Sequence, residues 1–168
     1  TQHVIKMKNL QPIPQEDDAT CWAAAYQMMF DWKGKNKDTI PTLLKGAVKD
    51  VQICYEKGLD QSDWSATAKA FGLSEAKGKK PFTTEELSGY LSHGPVLVHG
   101  KFVLGIHSIV VIGVTVADYP WEGEMVTYIN PYWIGTKSVQ ARTSLFKDYL
   151  KIGVEANDGK SGVIKYWG

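Results

Sequence analysis

Two cysteines in 168 residues are too few for a disulfide framework. A Cys21–Cys54 bridge is possible on count alone, but Cys54 lies in Lys49-Asp-Val-Gln-Ile-Cys-Tyr-Glu, where helical spacing sets it with Val51 and Tyr55 on a packed face. A buried, inert thiol is the expectation there. An excess of charge of one sign is also missing. The 19 basic and 18 acidic side chains leave no electrostatic footprint for nucleic acid, and Lys79-Lys80 and the alternation Lys33, Lys35, Lys37 are too short to form a patch. No apolar run reaches the ~18 residues of a membrane span, and the longest candidate, 102–116, is interrupted by His107 and glycines. Four histidines and two cysteines show no metal-ligand spacing, so neither a metal nor another cofactor is expected. No internal repeat is visible. The chain opens on Thr1 rather than methionine, and the expectation is a piece of a longer protein or a trimmed form of one, so a missing signal peptide decides nothing.

What the chain does contain is enough for one domain, expected over 1–168, burying about two thirds of the surface of its unfolded form. The first half reads as helical. Residues 21–33 are apolar on almost every side, the pattern of a helix buried between layers, and Gly34 ends it. Further helices are expected near 40–56, 62–71 and 83–92. Strands are expected at 95–99, 103–116, 124–130, 136–140 and 162–166, with a short helix over 144–150. Helices first and an antiparallel sheet second make an α+β fold.

One cysteine stands at the point where chemistry is easiest. Gln15-Glu-Asp-Asp-Ala-Thr-Cys21-Trp22-Ala-Ala-Ala reads as a loop turning into a helix, with Thr20 or Asp18 as its cap. Cys21 then sits in the first turn, where free backbone N–H groups and the positive end of the helix dipole favour a thiolate. His107 lies inside a strand-like run rich in β-branched residues, and an imidazole there needs a partner. Asn130 ends the next such run, with Pro131 stopping the ladder, and Ala117-Asp-Tyr-Pro-Trp-Glu-Gly123 reads as the turn between them. A hairpin centred between Asp118 and Tyr119 places His107 opposite Asn130; one centred on Pro120 offsets them. In either register the roles follow from chemistry. His107 takes the thiol proton and returns it to the leaving amine, Asn130 fixes the imidazole tautomer, and Gln15 with the Cys21 N–H donates to the oxyanion, a contribution of about 3 kcal/mol per donor.

Gln15 six positions before Cys21-Trp22, then a strand histidine and an asparagine beside aromatic residues, resembles the papain-like cysteine peptidases. Asn130-Pro-Tyr132-Trp133 is similar to that family's Asn-Ser-Trp, in which an aromatic ring shields the Asn–His bond; Tyr132 has the matching offset and Trp133 is the other candidate. The chain lacks the Cys-Gly-Ser-Cys run and the disulfides of papain itself. It is closer to compact bacterial domains, namely bacteriocin-processing peptidase domains and secreted effector proteases of plant pathogens, which the segment Thr83 to Val98 also resembles. The resemblance spans roughly residues 11–135. It implies a papain-like fold with the nucleophile helix packed on a C-terminal sheet. It also implies an endopeptidase of effector or toxin type, with a protein or peptide substrate and a cognate inhibitor or immunity protein as a further partner.

Blander readings stand beside these. Cys21 alone reads as packing, Asp118 is an alternative orienting group to Asn130, and Gln11 an alternative to Gln15. His93 and His99 flank a Gly94-Pro95 turn and are expected as a cap and a surface residue. The tryptophans at 64, 121 and 167 read as packing, with Trp121 a candidate subsite wall. The same constellation serves an amidase or deamidase acting on peptidoglycan stem peptides or a protein glutamine. A module that only grips a peptide in the cleft is the alternative from another class.

Overall fold

The computed structural model describes residues 3–6, 10–76, 83–102, 105–116, 123–133, 138–155 and 163–168. Its first helix, α1 (Cys21–Lys33), follows from composition. Trp22, Tyr26, Met28, Met29 and Phe30 point in several directions around it and all are buried. Gly34 closes it in the left-handed conformation, φ 78°, which a side chain would resist. The continuous helix expected over 40–56 is instead two, α2 (Ile40–Leu44) and α3 (Val51–Lys57). Backbone turns at Gly46 and Ala47 end the first, and Asp50 restarts the second by accepting from the Ile53 N–H. Helix α4 (Trp64–Phe71) is entered through a 3-10 turn at Gln61–Asp63. Helix α5 (Thr84–Leu91) is capped by Thr83, whose hydroxyl accepts from the Glu86 N–H at 3.1 Å.

The strands are β1 (His3–Lys6), β2 (Ser74–Glu75), β3 (Val96–Phe102), β4 (Gly105–Val116), β5 (Met125–Ile129), β6 (Arg142–Leu145) and β7 (Ile164–Tyr166), with α6 (Leu150–Glu155) between the last two. All pair antiparallel in one sheet of order β2-β7-β3-β4-β5-β6. The first half of β4 pairs with β3, and its far end, Gly113–Val116, pairs with β1 on the same edge. Two strands were not legible, because β1 and β2 are too short to show alternation. The strand expected at 136–140 is corrected: 138–140 is not strand, 136 and 137 lie outside the described residues, and the strand that forms is β6. The helix expected over 144–150 begins only at Leu150. β6 is an edge strand held by polar pairs, Thr127 to Thr143 at 3.1 Å and Tyr128 to Ser144 at 2.9 Å, so it carries no apolar signal.

The sheet buries both faces. One face carries Leu97, Val110, Ile112 and Ile129 against Trp22, Tyr26, Phe30, Trp64 and Phe71 of the helices. The other carries Val96, Val98, Ile109, Val111 and Val114 against Leu87, Leu91, Phe146 and Leu150. This α+β arrangement, a helical N-terminal part against an antiparallel sheet, is the fold the sequence led us to expect. Gly94 makes the entry to β3 possible: its φ is 131°, and a Cβ there would stand 2.5 Å from the Trp32 ring.

Candidate active site

The register of β4 with β5 decides whether His107 and Asn130 meet. Thr115 pairs with Met125, Val114 with Val126 and Gly113 with Thr127, but beyond a bulge at Ile112 the partners become Val111 with Tyr128 and Val110 with Ile129. Asn130 therefore falls opposite Ile109, on the same face as His107. Without the bulge it would fall opposite Val110, whose side chain points to the helical face, and the pair could not form. With it, His107 Nε2 lies 2.5 Å from Asn130 Oδ1. The two residues are offset along the hairpin rather than opposed, which excludes the register that would set them face to face; the turn itself, 117–122, lies outside the described residues. Asp118, the alternative orienting group, and Trp121 lie outside the described residues.

Asn130 is itself held. Its Oδ1 also accepts from the Tyr132 N–H at 3.0 Å, and its side chain hydrogen-bonds to the Tyr149 hydroxyl. Tyr149 is stacked between Tyr128 (4.2 Å, 13°) and Phe102 (5.0 Å, 17°), and its hydroxyl also bonds to that of Tyr128. An oxygen that takes two donors and an amide nitrogen that meets a hydroxyl leave the amide one orientation, with its acceptor on the imidazole. Tyr149 was invisible in the sequence, because it stands in an irregular turn far from Asn130 in the chain.

Gln15 is 3 % exposed, and its backbone is pinned to the segment that follows Asn130. Its N–H donates to the Pro131 carbonyl at 2.9 Å, and its carbonyl accepts from Trp133 Nε1 at 2.6 Å. Its side-chain Nε2 donates to the Asp17 carbonyl at 2.6 Å, while Oε1 is buried without a partner. Trp133 thus ties the two ends of the site together. Gln11, weighed against Gln15, is exposed.

Cys21 opens α1 as expected, partly exposed and free of any disulfide. Thr20 occupies the capping position, but its hydroxyl accepts from the Glu16 and Asp17 N–H groups at 3.2 Å and makes no cap bond to the helix. The first-turn N–H groups of α1 therefore remain available to the sulfur and to a bound carbonyl. Trp22 fixes the helix start from behind: its Nε1 donates to the Cys54 carbonyl at 3.2 Å and its ring packs on Tyr55 at 5.0 Å. Cys54 is buried and free, as expected.

Burial pushes the Cys21 thiol above its ordinary value, opposed by hydrogen bonds to the sulfur from the Ser108 N–H and hydroxyl and from the Trp22 and Cys21 N–H groups. Burial likewise pushes the His107 imidazole below its ordinary value, opposed by Asn130. Each group taken alone is thus driven toward its neutral form.

His99, expected at the surface, is corrected. It is 1 % exposed on β3, stacked on Trp64 at 4.2 Å and 11°, with Nδ1 2.8 Å from Ser108 Oγ. The sequence hid this because the strand runs past the Gly94-Pro95 turn into a wholly buried stretch, where polarity no longer marks exposure. No three His, Cys, Asp or Glu side chains among the described residues are placed to share a metal ion, and no helix among them is long and apolar enough to cross a membrane.

A family model described as papain-like cysteine protease AvrRpt2 matches residues 3–148, a span that holds Gln15, Cys21, His107 and Asn130. Neither the curated proteins nor the solved structures yield a match. The model covers most of the chain, and the α+β fold agrees with it: this protein belongs to the papain-like cysteine protease AvrRpt2 family and is a cysteine peptidase.

Proposed function

We propose that this peptidase is an endopeptidase whose nucleophile is Cys21, with His107 as acid and base, Asn130 as the group that orients His107, and Gln15 as an oxyanion donor. The observation that carries the reading is the 2.5 Å contact between His107 Nε2 and Asn130 Oδ1, made on the same strand that meets the Cys21 sulfur through Ser108.

With Nε2–H donated to Asn130, the Nδ1 of His107 is the free base. It takes the Cys21 proton as the sulfur attacks the scissile carbonyl. The carbonyl oxygen becomes an oxyanion, met by the Gln15 amide and the Cys21 N–H. The imidazolium then protonates the departing amine, the C–N bond breaks, and a thioester remains on Cys21. Water, deprotonated by His107, attacks the thioester; the C–S bond breaks and the thiol is regenerated.

Residues 1–168 act in this reading as one catalytic domain of a secreted effector, and its substrate is a protein of a target cell. Family membership supports that role. Cleavage of a denatured protein substrate tests the reading. Wild type should release peptides and Cys21→Ala should not; equal cleavage by both would overturn it. A deamidase acting on glutamine releases ammonia rather than peptides in the same assay, and a binding module releases neither.

A further inference from the structure

Resting on Cys21 as the nucleophile, we infer that Ser108 is a direct hydrogen-bond donor to the reacting sulfur and that buried His99 is the positioning residue that turns the Ser108 hydroxyl toward it. The geometry begins with the sheet. The His99 N–H donates to the Val163 carbonyl at 2.7 Å, away from β4, so His99 and its register partner Ser108 form a non-hydrogen-bonded pair. Two consequences follow. Their side chains are drawn close, which gives the 2.8 Å contact between His99 Nδ1 and Ser108 Oγ. The Ser108 N–H points away from β3, to the edge that β5 leaves after Ile129, and there it meets the Cys21 sulfur. Backbone N–H and hydroxyl of one residue converge on one atom.

The direction of the hydroxyl depends on His99. Its ring is 1 % exposed, clamped on Trp64, and its Nε2 has no hydrogen-bond partner. Were the hydroxyl to donate to Nδ1, Nε2 would carry a buried hydrogen with no acceptor, which is the rarer and costlier defect. The ring also lies within electrostatic reach of Lys165, a fully buried side chain paired with Glu75. Nδ1–H therefore donates to Ser108 Oγ, and the hydroxyl hydrogen is left for the sulfur. The titratable groups around this row are His107 on β4, Tyr26 on α1, Lys165 on β7 and Glu75 on β2. None of them offers Ser108 another acceptor among its described hydrogen bonds.

The test is the pH dependence of Cys21 alkylation by iodoacetamide, read by mass spectrometry of the intact protein. Wild type is compared with Ser108→Ala, His99→Leu, His99→Asn and the Ser108→Ala/His99→Leu double variant. Loss of one hydrogen bond to a charged atom should move the profile alkaline by about one pH unit in Ser108→Ala. His99→Leu should move it the same way, and the double variant no further. Asparagine places an amide donor where Nδ1–H stood, so His99→Asn should restore most of the wild-type profile. That rescue separates positioning from packing, and Ser108→Ala, which removes a single oxygen, keeps the test open should His99→Leu fail to fold. An unchanged profile in Ser108→Ala overturns the donor role; a shift there with none in His99→Leu overturns the part played by His99. A wild-type Cys21 that titrates as an ordinary thiol would sink the catalytic reading, and this inference with it.

Discussion

Trp133 Nε1 and the Gln15 carbonyl oxygen lie 2.6 Å apart although 118 positions separate the residues in the chain. This bond joins the loop that carries Gln15, the proposed oxyanion donor, to the segment that carries Asn130. Its consequence is kinetic. Trp133→Phe keeps an aromatic ring but frees the Gln15 loop, and kcat should fall about tenfold, the equivalent of one buried hydrogen bond, with KM changing less. Steady-state kinetics on a peptide substrate check this. A variant with unchanged kcat would mean that Gln15 is held without Trp133.

Asn130 should tolerate only a replacement that keeps its acceptor. Asn130→Asp presents an oxygen to His107 Nε2 and should keep most activity, whereas Asn130→Leu should lower kcat/KM by about 100-fold or more through loss of tautomer and orientation. Tyr149→Phe removes the hydroxyl that meets the Asn130 amide and should cost about three- to tenfold in kcat. Measuring the three variants beside one another separates the acceptor from its support.

Stability should fall on the acid side, and His99 should be one cause. Burial, and then the nearby Lys165 charge, hold its folded value well below the ordinary 6.5. The unfolded chain therefore binds more protons as pH drops below 6.5, and the stability present above that value is lost down to the folded value, at up to about 1.4 kcal/mol per pH unit. His107, also depressed by burial, acts in the same direction. Urea midpoints between pH 7 and pH 5 should decline less steeply in His99→Asn than in wild type, and parallel slopes would contradict this.

Gly94→Ala should be strongly destabilising. The residue needs a φ of 131°, and the added carbon would meet the Trp32 ring at 2.5 Å. Strain and overpacking together should remove about 2–4 kcal/mol, visible as a lower melting temperature, while Gly89→Ala, with nothing near its added carbon, should not.

Residues whose neighbours in sequence declare their role were legible. Helix α1 was visible from its unbroken apolar composition, and Cys21 from its place at that helix start; the strand bearing His107 and the one that ends just before Asn130 were visible from β-branched runs. What the sequence left open was register. A single extra residue at Ile112 decides which face Asn130 occupies, and no local pattern announces it. Contacts formed only by folding were hidden as well. His99 looked like a turn residue because polarity suggested solvent, and Tyr149 reaches Asn130 only because β6 and the turn after it fold back over the sheet. Thr20 read correctly as the residue before the helix, yet its hydroxyl bonds backward to Glu16 and Asp17.

The central claim, a Cys21 nucleophile activated by His107, is tested most directly by intact-mass analysis after brief exposure to a peptidyl epoxide that traps papain-like thiolates. Wild type should gain one adduct, mapped to Cys21, and Cys21→Ala and His107→Ala should gain none. An adduct on Cys54 instead, or one on Cys21 that persists in His107→Ala, would contradict the account.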